Sequence, residues 1–163
     1  MNKKVNVLKL VIAIIIPLAI GILSSFITKD AMMTFNAMKK PSLAPPGILF
    51  PIVWSILYVM MGISSYILYE SDTKNGTMNS KIKNKCLSLY VVQLVFNFFW
   101  SIIFFKSKLY VLAFMWLIIL WLLVFALIVE SKKINKIASC LLILYLVWMT
   151  FAAYLNIGIA ILN

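Results

Sequence analysis

Of the chain's 163 residues, 64% are hydrophobic and 12% charged, against roughly half and a quarter in a soluble domain. That composition belongs to a membrane protein, with room for about five spans of ~20 residues and short loops, and none for a separate soluble domain. All 15 basic residues behind the net charge of +11 are lysines between apolar runs, which orientation and anionic lipid headgroups explain better than nucleic acid does.

The chain has no His, and its cysteines, Cys86 and Cys140, are far apart. A disulfide framework, a His-based metal site and a bound cofactor are therefore not expected. The expected fold is all-α: one integral membrane domain over residues 1–163, a bundle of five transmembrane helices.

The first apolar run covers 7–27, entered through Lys3, Lys4 and Lys9. It is longer than the roughly 7–15 residues of a signal-peptide core and no small-residue cleavage site follows, so it reads as a retained helix. Pro17 and Gly21 are positions where it could bend or admit a close neighbour. Residues 28–47 form an unusually long connection for packed spans, where about 2–8 residues is usual. Pro41, Pro45 and Pro46 lack donors and push the preceding residues out of the helical region, so its second half is stiff. A connection of that kind is either a plain connector or a lid over a binding site, and its stiff second half argues against a floppy connector.

Span two, 48–69, carries Trp54, Tyr58, Met61 or Gly62, Ser65 and Tyr69 at helical three- and four-residue steps. A polar segment to Lys85 follows, with Asn75-Gly76 marking a turn. Span three is read over 87–105, with Gln93, Asn97, Trp100 and Phe104 on one face. A link of a few residues makes span four, 109–129, its antiparallel neighbour. Span five, 137–162, presents Tyr145, Trp148, Ala152 and Asn156 on one face. No internal repeat is visible, so an inverted-repeat transporter is not supported.

Ten lysines fall on the amino-terminal side of the bundle and five on the other. The positive-inside rule then places the amino terminus in the cytoplasm and the proline loop outside. Asp30, Glu70, Asp72 and Glu130 all lie at or beyond span ends. Pumps, proton-coupled exporters and voltage sensors need ionisable groups inside the membrane, so they are disfavoured. No nucleophile stands beside a base, so no catalytic residue is assigned. What remains inside is amide, hydroxyl and aromatic. Each amide alone reads first as interhelical glue worth under ~1–2 kcal/mol, and each Trp or Tyr as packing or an interfacial anchor. Three Trp-bearing stripes, two with amides, together describe an apolar pocket with few polar groups.

Lys40-Pro-x-x-x-Pro-Pro followed by Trp54-x-x-x-Tyr58-x-x-Met-Gly resembles the signature of the translocator protein family, also called the tryptophan-rich sensory proteins. Gln93-Leu-Val-Phe-Asn97-Phe-Phe-Trp100 resembles its third helix, and Trp148-Met-Thr-Phe-Ala152-Ala-Tyr-Leu155-Asn156 its fifth. The resemblance implies a five-helix membrane protein that binds porphyrins and related tetrapyrroles, sterols and isoquinoline-type drugs. It places Trp54, Tyr58, Asn97, Trp100, Trp148, Ala152 and Leu155 on positions lining or bordering the cavity. Asn97 or the Tyr58 hydroxyl could then hydrogen-bond a ligand, and Lys39 or Lys40 at the mouth could meet a propionate.

Three departures narrow the expectation. The family's tryptophan seven residues before the Pro of Lys-Pro is Thr34 here, which weakens the light-dependent porphyrin degradation proposed for some members. The proposed sterol motif lacks its basic residue after Tyr154, which favours porphyrin over sterol. The family's homodimer uses small residues on the third helix, where this chain has mostly Val, Phe and Tyr. The expected function is thus a sensor or carrier of the bacterial cell membrane, holding a tetrapyrrole under the 28–47 loop. The alternatives are a light-dependent porphyrin-degrading enzyme and a structural membrane partner without a small-molecule ligand.

Overall fold

The computed structural model describes residues 5–71 and 77–163, the side chains of 77–79 excepted. Lys3, Lys4, Asp72, Lys74 and the Asn75-Gly76 turn lie outside those residues. Among the described residues the helices are α1 (Val7–Ile27), α2 (Ala31–Ala37), α3 (Leu49–Glu70), α4 (Thr77–Ser101), α5 (Tyr110–Lys132) and α6 (Lys136–Leu162). A π-helical turn, Ile102–Lys106, continues α4. Five helices are long and apolar enough to cross a membrane: α1, α3, α5, α6, and α4 from Ser80 together with its π turn.

Each span follows its apolar run, but the ends differ from the expected ones. α4 begins at Thr77, about three turns before the apolar run that marks span three. The run's end marks where the bilayer begins, whereas the helix continues for as long as its polar side chains find partners. Lys83 donates to the backbone carbonyls of Tyr69 and Ser71 at the end of α3, and Lys85 pairs with Glu130 Oε1 at 2.8 Å. α2 lies within the expected lid, so its first half is helical rather than irregular.

α5 packs against α4 and α6, and α3 against α1 and α6. The short link after the π turn does make α4 and α5 neighbours; it contains Lys108 at φ 55°, in the left-handed region. α1 lies at the margin, with Val11, Ile15, Ile22 and Phe26 exposed as a lipid-facing helix requires. Its packing on α3 depends on Gly62, where a Cβ would stand 2.5 Å from Ile14 Cα. The two backbones meet there directly, as small residues allow in membranes. Two ion pairs tie helices together at the amino-terminal end of the bundle. Lys9 Nζ meets Glu70 Oε1 at 2.7 Å, linking α1 to α3, and the Lys85–Glu130 pair links α4 to α5.

The proline loop is docked rather than free. Pro41 packs on Gly158 of α6, where a Cβ would come within 2.9 Å of the proline ring. Beside it, the Lys39 N–H donates to Asn163 Oδ1 at 3.1 Å and Asn163 Nδ2 donates back to the Lys39 carbonyl at 3.0 Å.

Candidate functional site

The stripe on α3 splits by depth. Tyr58, Met61, Gly62 and Ser65 are buried, Trp54 is half-buried, and Tyr69 is exposed at the helix end. Trp54 is the hub of an aromatic cluster, with ring centroids 5.6 Å from Tyr58, 6.4 Å from Trp100 and 6.0 Å from Tyr145. Trp100 in turn stacks on Phe104 at 5.4 Å. The π turn after Ser101 brings Phe104 and Phe105 into contact with it, a local rewinding often found at functional sites.

A cavity of about 370 Å³ opens beside this cluster, between α1, α2, α3 and the end of α4. Trp54, Tyr58, Trp100, Phe50 and Phe105 give it aromatic walls, and Gly21 gives it room. A Cβ at Gly21 would lie 2.3 Å from Tyr58 Cε2, so the backbone of α1 lies directly against the tyrosine ring. Thr28, Lys29 and Met32 border the cavity where α1 passes into α2. A much smaller void of about 20 Å³ lies between Phe35, Trp100, Phe104, Ala152 and Leu155.

The predicted site residues therefore divide. Trp54, Tyr58 and Trp100 line the larger cavity, and Trp100, Ala152 and Leu155 line the smaller void. Asn97 lines neither. Its Oδ1 accepts from the Tyr58 hydroxyl at 2.8 Å and its Nδ2 donates to the Tyr145 hydroxyl at 2.8 Å, so one amide joins α3, α4 and α6. Both Asn97 and the Tyr58 hydroxyl are thus engaged inside the protein rather than held ready for a ligand. Asn156 plays a similar part, accepting from Trp100 Nε1 at 3.3 Å and donating to the Tyr110 carbonyl at 2.8 Å. Gln93 is fully buried, with its Nε2 against Met61 Sδ at 3.7 Å.

Trp148 also lines neither cavity. It stands edge-on to Phe50 at 6.0 Å, one residue removed from the cavity wall. Pro41, Pro45 and Pro46 line neither cavity; Pro41 docks the loop on Gly158, while the part that borders the larger cavity is the Thr28–Met32 stretch ahead of them. Neither Lys39 nor Lys40 reaches the cavity; Lys40 Nζ instead lies 4.8 Å over the Phe35 ring. The basic residue at the cavity is Lys29, which charge counting had assigned only to the flank of a span. Its place directly after the first apolar run was the one available signal.

The TspO/MBR family model matches residues 13–162 of the chain. The tryptophan-rich protein TspO of Archaeoglobus fulgidus is 39% identical, over 97% of this chain and 99% of that protein. The tryptophan-rich protein TspO of Chlorobaculum tepidum is 34% identical, over 100% of this chain and 99% of that one. The translocator protein of Ovis aries is 30% identical, over 82% of this chain and 76% of its own length.

Proposed function

The chain belongs to the TspO/MBR family, and from that premise we propose that it binds a flat apolar ligand, foremost a porphyrin or related tetrapyrrole, as a membrane sensor or carrier. Isoquinoline-type drugs have the same flat apolar shape and suit the same site; sterols suit it less. The observation that carries this reading is the cavity of about 370 Å³ walled by Trp54, Tyr58 and Trp100. Its size falls within the roughly 300–1,000 Å³ of small-molecule sites, and its walls are mostly aromatic with few polar groups. Flat conjugated ligands stack on such rings at about 0.5–1.5 kcal/mol per pair beyond area burial.

The test is a titration of the protein in nanodiscs with protoporphyrin in the dark, read by Trp fluorescence quenching. Saturable binding that weakens roughly three- to tenfold in Trp54→Leu supports the cavity. Non-saturable quenching, equal in both proteins, means that porphyrin is only partitioning into lipid and sinks the reading.

We also propose that it resides in the bacterial cell membrane, and the lysine asymmetry supports an amino terminus in the cytoplasm. In a Cys140→Ser background, an impermeant maleimide should label Lys106→Cys in intact cells and Lys133→Cys only after lysis. The opposite pattern reverses the orientation.

A further inference from the structure

We propose that Lys29 is the anion-recognising residue of the cavity, so that the ligand is a flat apolar body bearing a carboxylate. This rests on the ligand-binding reading above and adds to it the residue that meets the ligand's charge. Among the residues lining the cavity, Lys29 alone is charged. The aromatic walls recognise an apolar ring system and supply no counter-charge for an ionised group.

The other polar side chains of the lining are all neutral hydroxyls, those of Ser24, Ser25, Thr28, Ser55, Tyr58 and Ser101, and three of them are committed. The Thr28 hydroxyl donates to the Ser24 carbonyl at 2.8 Å, and the Ser55 hydroxyl to the Pro51 carbonyl at 2.8 Å. The Tyr58 hydroxyl is spent on Asn97. An ammonium has three donors and no acceptor, and its charge makes it a stronger donor to a carboxylate than any neutral hydroxyl, so the strongest donor of the lining is that of Lys29.

Among the described residues Lys29 has no internal counter-ion. Among the described residues Lys9, Lys85 and Lys133 pair with Glu70 or Glu130, and Lys40 lies over Phe35 and reaches the Asn36 carbonyl. No ion pair or hydrogen bond of the Lys29 side chain accompanies them. Asp30, the adjacent acid, does not line the cavity. A cation beside a low-dielectric cavity attracts an anion more strongly than one in open water. The length of a lysine side chain lets it follow a carboxylate held at the cavity's edge while the ring system lies deeper.

The experiment uses the full chain in phosphatidylcholine nanodiscs, so that no anionic headgroup competes. Protoporphyrin and its dimethyl ester are titrated in the dark against wild type, Lys29→Gln and Lys40→Gln. The ester keeps the ring and loses the charge, and its affinity serves as the control for folding. The wild type should prefer the acid over the ester by a ratio that falls roughly three- to tenfold in Lys29→Gln, with ester affinity unchanged. Lys40→Gln should keep the wild-type ratio. An unchanged ratio in Lys29→Gln, or an equal fall in Lys40→Gln, overturns the assignment while leaving the cavity intact. If neither porphyrin saturates in the wild type, the cavity reading fails and the assignment falls with it.

Discussion

Asn97 joins three helices, its own and those of the two tyrosines it bonds, Tyr58 on α3 and Tyr145 on α6. In a bilayer an amide without partners is costly, and a pair of interhelical hydrogen bonds is worth about 0.6 kcal/mol each on average. Removing the Tyr58 hydroxyl leaves the ring in the cavity wall and strips Asn97 Oδ1 of its donor. Tyr58→Phe should therefore lower thermal stability in detergent by roughly 1 kcal/mol while leaving porphyrin affinity within about twofold of wild type. A large loss of affinity with unchanged stability would instead make the hydroxyl a ligand contact. That Tyr58, Asn97 and Tyr145 share the interior was readable from helical spacing. Which atom meets which was not, because spacing fixes faces and says nothing of the rotation of one helix against another. The same limit hid Lys29: flanking lysines look alike in sequence, and only the path of the chain from α1 into α2 brings one of them to the cavity.

At the scale of elements, long apolar runs were enough to find all five spans, since no other arrangement of such segments satisfies its backbone in lipid. α2 escaped because seven residues are too few for a periodic signal, and its helix is sustained by Phe35, which is buried against Phe50 at 4.8 Å. Helix starts depend on single caps rather than on hydropathy. Asn135 Oδ1 accepts from the backbone N–H groups of Ile137 at 2.9 Å and Ala138 at 3.1 Å, opening α6 immediately after the α5 turn. Asn135→Ala should cost about 1 kcal/mol of stability, and Asn135→Ser or Asn135→Asp should restore most of it. Thermal unfolding followed by circular dichroism would show this. Equal loss in all three variants would mean that the turn, not the cap, is what position 135 supports.

For the whole molecule, the long first connection is anchored at one end to the cavity and at the other to α6. Thr28, Lys29 and Met32 border the larger cavity, Phe35 borders the smaller void, and Pro41 rests on Gly158 beside the paired Lys39 and Asn163. If the proposed ligand leaves past this connection, the Pro41 contact must loosen. Gly158→Ala tests that with little cost to the bundle, because alanine favours the helix by about 1 kcal/mol over glycine and so offsets part of the crowding. The added methyl must move the proline ring, since a contact of 2.9 Å is too short to persist. Weakening the dock by ~1 kcal/mol should raise the porphyrin dissociation rate about fivefold with little change in melting temperature. Stopped-flow recovery of Trp fluorescence on dilution into empty nanodiscs measures that rate. If dissociation is unchanged although the variant folds normally, the ligand leaves by another route, between α1 and α3, and the proline loop is a structural brace rather than a lid.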